Sequence, residues 1–192
     1  MKSRYIDDID LDFLRSVMSD RDFLPFLVTL ETGLRIGDVL SLKHTDVRQG
    51  NVYFTAQKTG KRGIARISKG LELALKKANG SDYCFPGRDK RKPLTRQAAW
   101  ARIKKACGRC GLSSEGVSPH SLRKVFAVDT FKQSGAEQAR QALQHSDLRT
   151  TELYILSDWI TGANADKPLT RKDITKIVEE IFELLKMNID KI

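Results

Sequence analysis

The 192-residue chain has no long apolar run, only three cysteines and fewer acids than bases, and each shortage narrows what it can be. A helix that crosses a bilayer needs about 20 consecutive apolar residues. The apolar runs here break after a few residues, so no membrane span is expected. The N-terminal stretch MKSRYIDDIDLDFL mixes charged and apolar residues and does not read as a secretory signal. Cys84, Cys107 and Cys110 are too few for a disulfide framework and fit a reducing cytoplasm. Cys107 and Cys110 form one C-x-x-C with no second C-x-x-C and no H-x-x-x-H beside it. They are read as small apolar residues on a helix face, and no metal site is expected. No internal repeat or low-complexity linker appears, so no boundary is expected within the main domain.

What the chain does have is positive charge. Lys plus Arg number 34 against 24 Asp plus Glu, giving a net charge of +10 and a pI near 9.6. Such an excess favours a polyanionic partner through counterion release. Ribosomal, nucleic-acid-processing and membrane-surface proteins share this balance, with nucleic acid the leading expectation. A hydrophobic content of 40% with 30% charged residues suits one well-cored domain.

The periodicity predicts a mainly α domain with one small antiparallel sheet. Ile9, Phe13, Leu14 and Val17 fall at helical spacing, with Asp10 or Asp12 suited to a first turn. DFLPFLVTLETG reads as a second helix closed by Gly33, and RIGDVLSLKHTDV as a short helix with its exit loop. NVYFTA and GIARIS are β-rich runs around QKTGKR, a hairpin signal with Gly60 at the turn. Residues 70–79 predict a helix, and GRDKRKPLTR a basic loop. Thr95 is a candidate cap for a helix running to Cys110, with Ala99, Ile103 and Ala106 on its inner face. SPHSLRKVFAVDTFKQSG opens with a Ser cap and a Pro at the first helical position and stops at Gly135. Helical patterns also begin at AEQARQALQ and near residue 150. From Thr170 an amphipathic helix places Ile174, Ile177, Val178, Ile181 and Leu185 on one stripe. His44 is assigned to the surface and Tyr53 to the core.

Four stretches hold residues suited to one phosphate. In SPHSLRK, His120 and Arg123 share a face of a helix's first turn, where the backbone already favours an anion. Arg35, in TGLRIGDVLSL, heads a short helix after Gly33. Lys58 lies at the predicted hairpin tip beside Lys61 and Arg62, and LQHSDLRTTELYIL sets His145 nine positions before Tyr154. Each alone has a plainer reading: a surface arginine, a solvated tip, a core histidine.

In this order, Arg35, Lys58, His120-x-x-Arg123, His145 and Tyr154 resemble the catalytic domain of the tyrosine recombinases, the phage-integrase family. The matching stretches are LETGLRIGDVLSLKHTDV, FTAQKTGKR, SPHSLRKVFA and LQHSDLRTTELYI, and the resemblance covers about residues 8–160. Departures are small: Leu143-Gln144-His145 where Leu-Gly-His is frequent, Lys124 where His often follows the second arginine, and Asp38 in place of Glu. The resemblance implies a catalytic domain over residues 1–160 and a linker with an amphipathic helix over 161–192. That helix is expected to pack in cis or on a neighbouring protomer. It also implies that this chain carries no N-terminal core-binding domain, being either a naturally short recombinase or part of a longer protein.

The activity implied is site-specific cleavage and rejoining of DNA through a 3′-phosphotyrosyl link, with no cofactor, metal or ATP. A phenol of pKa about 10 is ionised in roughly one molecule per thousand at neutral pH. Tyr154, the nucleophile, therefore needs a base, and His120 is the candidate. Arg35 and Arg123, with a hydrogen bond from His145, would hold the non-bridging oxygens. Lys58 would protonate the departing 5′-oxygen. Lys61, Arg62, Arg88, Lys90, Arg91, Lys92, Arg96 and Lys104 are candidate contacts to the DNA backbone. The expected partner is double-stranded DNA, with a tetramer on paired sites and a monomer free in solution, in the cytoplasm of a bacterium or on a phage or mobile element. A type IB topoisomerase, or a non-catalytic DNA-binding protein of the same fold, are the competing readings.

Overall fold

A computed structural model of the chain describes residues 3–78 and 82–134, together with 138, 139, 141 and 143. These residues form six helices and one small sheet. The helices are α1 (Asp8–Val17), α2 (Asp20–Thr32), α3 (Ile36–Leu40), α4 (Lys69–Lys77), α5 (Arg96–Arg109) and α6 (Pro119–Ser134). A 3-10 turn at His44–Asp46 leads into β1 (Val47–Arg48), followed by β2 (Asn51–Thr55) and β3 (Arg62–Arg66). Helix α4 packs against β1. The strands are antiparallel in the order β1-β2-β3, with Val52 opposite Ala65 and Thr55 opposite Arg62.

Local chemistry fixes the helix starts. Asp7, Ser19, Ser68 and Thr95 each accept a hydrogen bond from a backbone N–H in the following turn, capping α1, α2, α4 and α5. At α6 the capping is reciprocal: Ser118 Oγ accepts from the His120 N–H at 3.3 Å, and Ser121 Oγ accepts from the Ser118 N–H at 3.2 Å. Helix α2 ends on Gly33, whose φ of 65° is the left-handed conformation of a C-terminal cap. It packs against α3, α4 and α6, and its Phe26 and Val28 lie in the core with Leu14, Val39, Leu42, Val52, Leu75, Ile103 and Leu122.

Several expectations change. On α1 the buried stripe runs through Leu14 with Leu11, Val17 and Met18 packed beside it, while Ile9 and Phe13 are 68% and 51% exposed. Residues 9 and 13 share one line of the helix, and the core touches the other. His44 is half-buried, not on the surface: its Nδ1 lies 3.8 Å from Cys84 Sγ, and its enclosed Nε2 has no hydrogen-bond partner among the described residues. Tyr53 is outside the core, because β2 alternates and turns Val52 and Phe54 inward. The Arg48 guanidinium lies 4.3 Å from the centre of the Tyr53 ring. Strand β1, two residues long, is an addition to the expected hairpin. The helical patterns near residue 150 and from Thr170 fall outside the described residues.

Candidate active site

Four segments far apart in sequence meet around one open cleft of about 430 Å³. The α2–α3 junction supplies Arg35, Gly37 and Asp38; the β2–β3 tip supplies Gln57 and Lys58; α5 begins with Arg96; and α6 brings Pro119, His120 and Arg123. Arg35 stands at the N-cap position of α3 and makes no side-chain capping bond there. Its place follows from Gly33, whose left-handed turn ends α2 and redirects the chain. His120 and Arg123 reach the cleft together because the Ser118–Ser121 pair starts α6 with the 120/123 face toward it.

Arg123 is only 5% exposed. One of its terminal nitrogens donates to the Gly33 carbonyl and the other to the Leu143 carbonyl, the latter at 2.6 Å. The guanidinium thus joins the end of α2 to α6 and to the chain two residues before His145. A side chain at Gly33 is disfavoured for a second reason: a Cβ on it would lie 2.4 Å from the Phe126 ring. His120 is exposed at the cleft mouth, but its imidazole is pushed down to about 4 by desolvation among its neighbours and by the charges of Arg123, Lys124 and Arg35. It is therefore neutral at physiological pH and able to accept a proton. The positive charges around it suit an anion that they can grip from several sides.

The cleft includes residues not among the sequence candidates. Asp38 is 3% exposed, and its Oδ1 accepts the Gln57 N–H at 2.9 Å. The Gln57 side-chain amide donates to the Gly37 carbonyl at 3.1 Å. An acid three residues after Arg35 in an otherwise apolar stretch was a readable signal for Asp38; nothing local marks Gln57.

The candidates for gripping the DNA backbone separate by position. Arg96 lines the cleft. Lys61 and Arg62 are exposed on the hairpin, and Arg88, Lys90, Arg91 and Lys92 are exposed on a loop pinched by a bridge between Pro86 and Pro93. Within that loop Arg91 pairs with Asp89 at 3.2 Å. Lys104 is engaged within the fold: its ammonium donates to the Ser114 carbonyl and lies 5.1 Å from the centre of the Trp100 ring. His145 and Tyr154 lie outside the described residues. Among the described residues, no three His, Cys, Asp or Glu side chains are grouped to hold a metal ion, and no helix is long and apolar enough to cross a membrane.

Residues 11–159 match the sequence profile of the phage integrase family. The probable integrase/recombinase YoeC of Bacillus subtilis (strain 168) is 29% identical over 153 residues, 77% of this chain and 83% of that protein. Tyrosine recombinase XerD of Vibrio vulnificus (strain YJ016) is 33% identical over 137 residues, 64% of this chain and 44% of that protein. This chain thus spans most of the first relative and under half of the second. A DNA-bound structure of lambda integrase superposes with a TM-score of 0.71 at 23% identity, over 85% of this chain and 63% of that one. A lambda integrase tetramer bound to a Holliday junction gives 0.65 at 21%, over 77% and 48%. At such identities the likeness is one of fold.

Proposed function

The chain belongs to the phage integrase family, and from that premise we propose that it cuts and rejoins double-stranded DNA at a specific site through a 3′-phosphotyrosyl intermediate. The observation that carries the proposal is the convergence of Arg35, Lys58, His120 and Arg123 on one cleft. The Tyr154 oxygen attacks the scissile phosphorus while His120 takes the phenolic proton. Arg35 and Arg123, with His145, hold the non-bridging oxygens as negative charge grows on them, each charge-assisted hydrogen bond contributing about 1.5–3 kcal/mol. The bond to the 5′-oxygen breaks, and the Lys58 ammonium supplies its proton. The phosphotyrosyl ester keeps the energy of the broken bond, so the 5′-hydroxyl of another strand can reverse the attack and complete an exchange.

Arg96 and the exposed cations of the hairpin and of the 88–92 loop grip the flanking backbone. The reading extends to a tetramer on paired sites, in keeping with the lambda integrase assembly on a Holliday junction.

The test needs no known target. The protein is incubated with a library of nicked duplexes, quenched in SDS and examined for DNA attached covalently to protein. The nick releases the cut fragment and traps the adduct. Adducts that disappear in Tyr154→Phe, and whose sequencing returns a common site, are the expected result. Bound but uncut DNA throughout would overturn the proposal in favour of a binding-only protein.

A further inference from the structure

Lys58 occupies an exposed hairpin tip, a place where side chains ordinarily move. Strand pairing ends at Thr55 and Arg62, and beyond it the loop is closed by Ala56, whose N–H donates to the Lys61 carbonyl at 2.8 Å and whose carbonyl accepts from the Gly60 N–H at 2.7 Å. Proton transfer to a leaving oxygen tolerates little of that motion, since a displacement of about 1 Å can cost roughly a hundredfold in rate. The residue before Lys58 ties the tip down. The Gln57 backbone N–H donates to buried Asp38, and its side-chain amide crosses to the Gly37 carbonyl at 3.1 Å. Gly37 makes room for this. A Cβ there would lie 3.2 Å from Gln57 Oε1 and 3.3 Å from Arg96 Cδ, so the hairpin tip and the first residue of α5 close over the same glycine.

We propose that Gln57 is a positioning residue for Lys58, its side-chain bond to Gly37 holding the lysine in register with Arg35, His120 and Arg96 across the cleft. The inference rests on the strand-cleavage reading above. Replacing Gln57 by Ala removes only the side-chain bond; the backbone bond to Asp38 is available to any residue except proline, so the fold is kept.

The test uses the nature of the leaving group. In the native reaction the Tyr154 O–P bond forms, the P–O5′ bond breaks, and a proton passes from Lys58 to the 5′-oxygen. With sulphur in place of that oxygen the P–S bond breaks and a thiolate departs without a proton, because a thiolate is a far weaker base than an alkoxide. Single-turnover cleavage is measured on the site recovered above, made with 5′-oxygen or 5′-sulphur. Gln57→Ala is expected to slow cleavage of the oxygen substrate about 10- to 100-fold and to leave the sulphur substrate within about twofold of wild type. Lys58→Ala should show the same pattern with a larger loss. Gln57→Ala at wild-type rate on oxygen, or equally slow on both, overturns the inference while the function stands. Lys58→Ala that sulphur does not rescue overturns the acid role and the inference with it. A wild-type protein inert on both overturns the function itself.

Discussion

Desolvation at the cleft disfavours a proton on His120, and the charges of Arg123, Lys124 and Arg35 act in the same direction. The folded-state pKa, pushed from 6.5 to about 4, lies below the unfolded value, so between these limits the unfolded chain holds a proton that the folded one does not. His120 therefore contributes stability that is fully present above about 6.5 and is lost as pH falls toward 4. NMR titration of the free protein, which has three histidines, should give one midpoint near 4. A DNA phosphate in the cleft adds negative charge and should move that midpoint upward; a His120 midpoint at 6.5 or above in the free protein would contradict the crowding described. Burial pushes the Cys84 thiol up to about 12 and raises that of Cys107, whereas Cys110 is only partly covered. Thiolate is the reactive form. An alkylating reagent should modify Cys110 alone in the native protein, with Cys84 and Cys107 reacting only on unfolding, as mass spectrometry of the labelled chain would show.

Between elements, the junction of α2 with α6 concentrates the most in a single residue. Gly33→Ala meets both a left-handed backbone and the Phe126 ring, whereas Gly60→Ala at φ 68° meets open space. Strain alone costs about 1 kcal/mol, and forced repacking adds about 1–3. Urea denaturation should therefore find Gly33→Ala less stable by about 2–4 kcal/mol and Gly60→Ala by about 1. The Arg123 bond to the Gly33 carbonyl links this loss to the cleft. Features of this kind, set by a few neighbouring residues, were legible in the sequence: the Gly33 stop, the Thr95 and Ser118 caps, the Gly60 hairpin and the His120–Arg123 face. Features set by packing across the chain were not. Which line of α1 turns inward depends on what α1 rests against, and the half-burial of His44 depends on Cys84, 40 residues away. Gln57 has no local mark at all, because its partners are 19 and 20 residues away on α3.

The net charge of +10 makes any affinity for DNA a function of salt. Every phosphate that the protein no longer neutralises should flatten the plot of log affinity against log salt by about 0.9. Replacing Arg88, Lys90, Arg91 and Lys92 together by Ala should reduce the slope by about 2–3, since Arg91 is partly committed to Asp89. Lys104→Ala should leave the slope unchanged and lower thermal stability, because its ammonium is occupied by Ser114 and Trp100. Fluorescence anisotropy across a salt series separates the two outcomes.

The cleft is gathered from residue 35, residues 57 and 58, residue 96, and residues 119 to 123, and a ribosome delivers these in that order. Until α6 has emerged, the nascent chain has its basic hairpin and loop but lacks both His120 and Arg123. The Leu143 carbonyl that steadies Arg123 is made later still, and Tyr154 after it. A chain released before α6 can therefore carry the positive charge of the hairpin and loop without ever holding the assembled cleft.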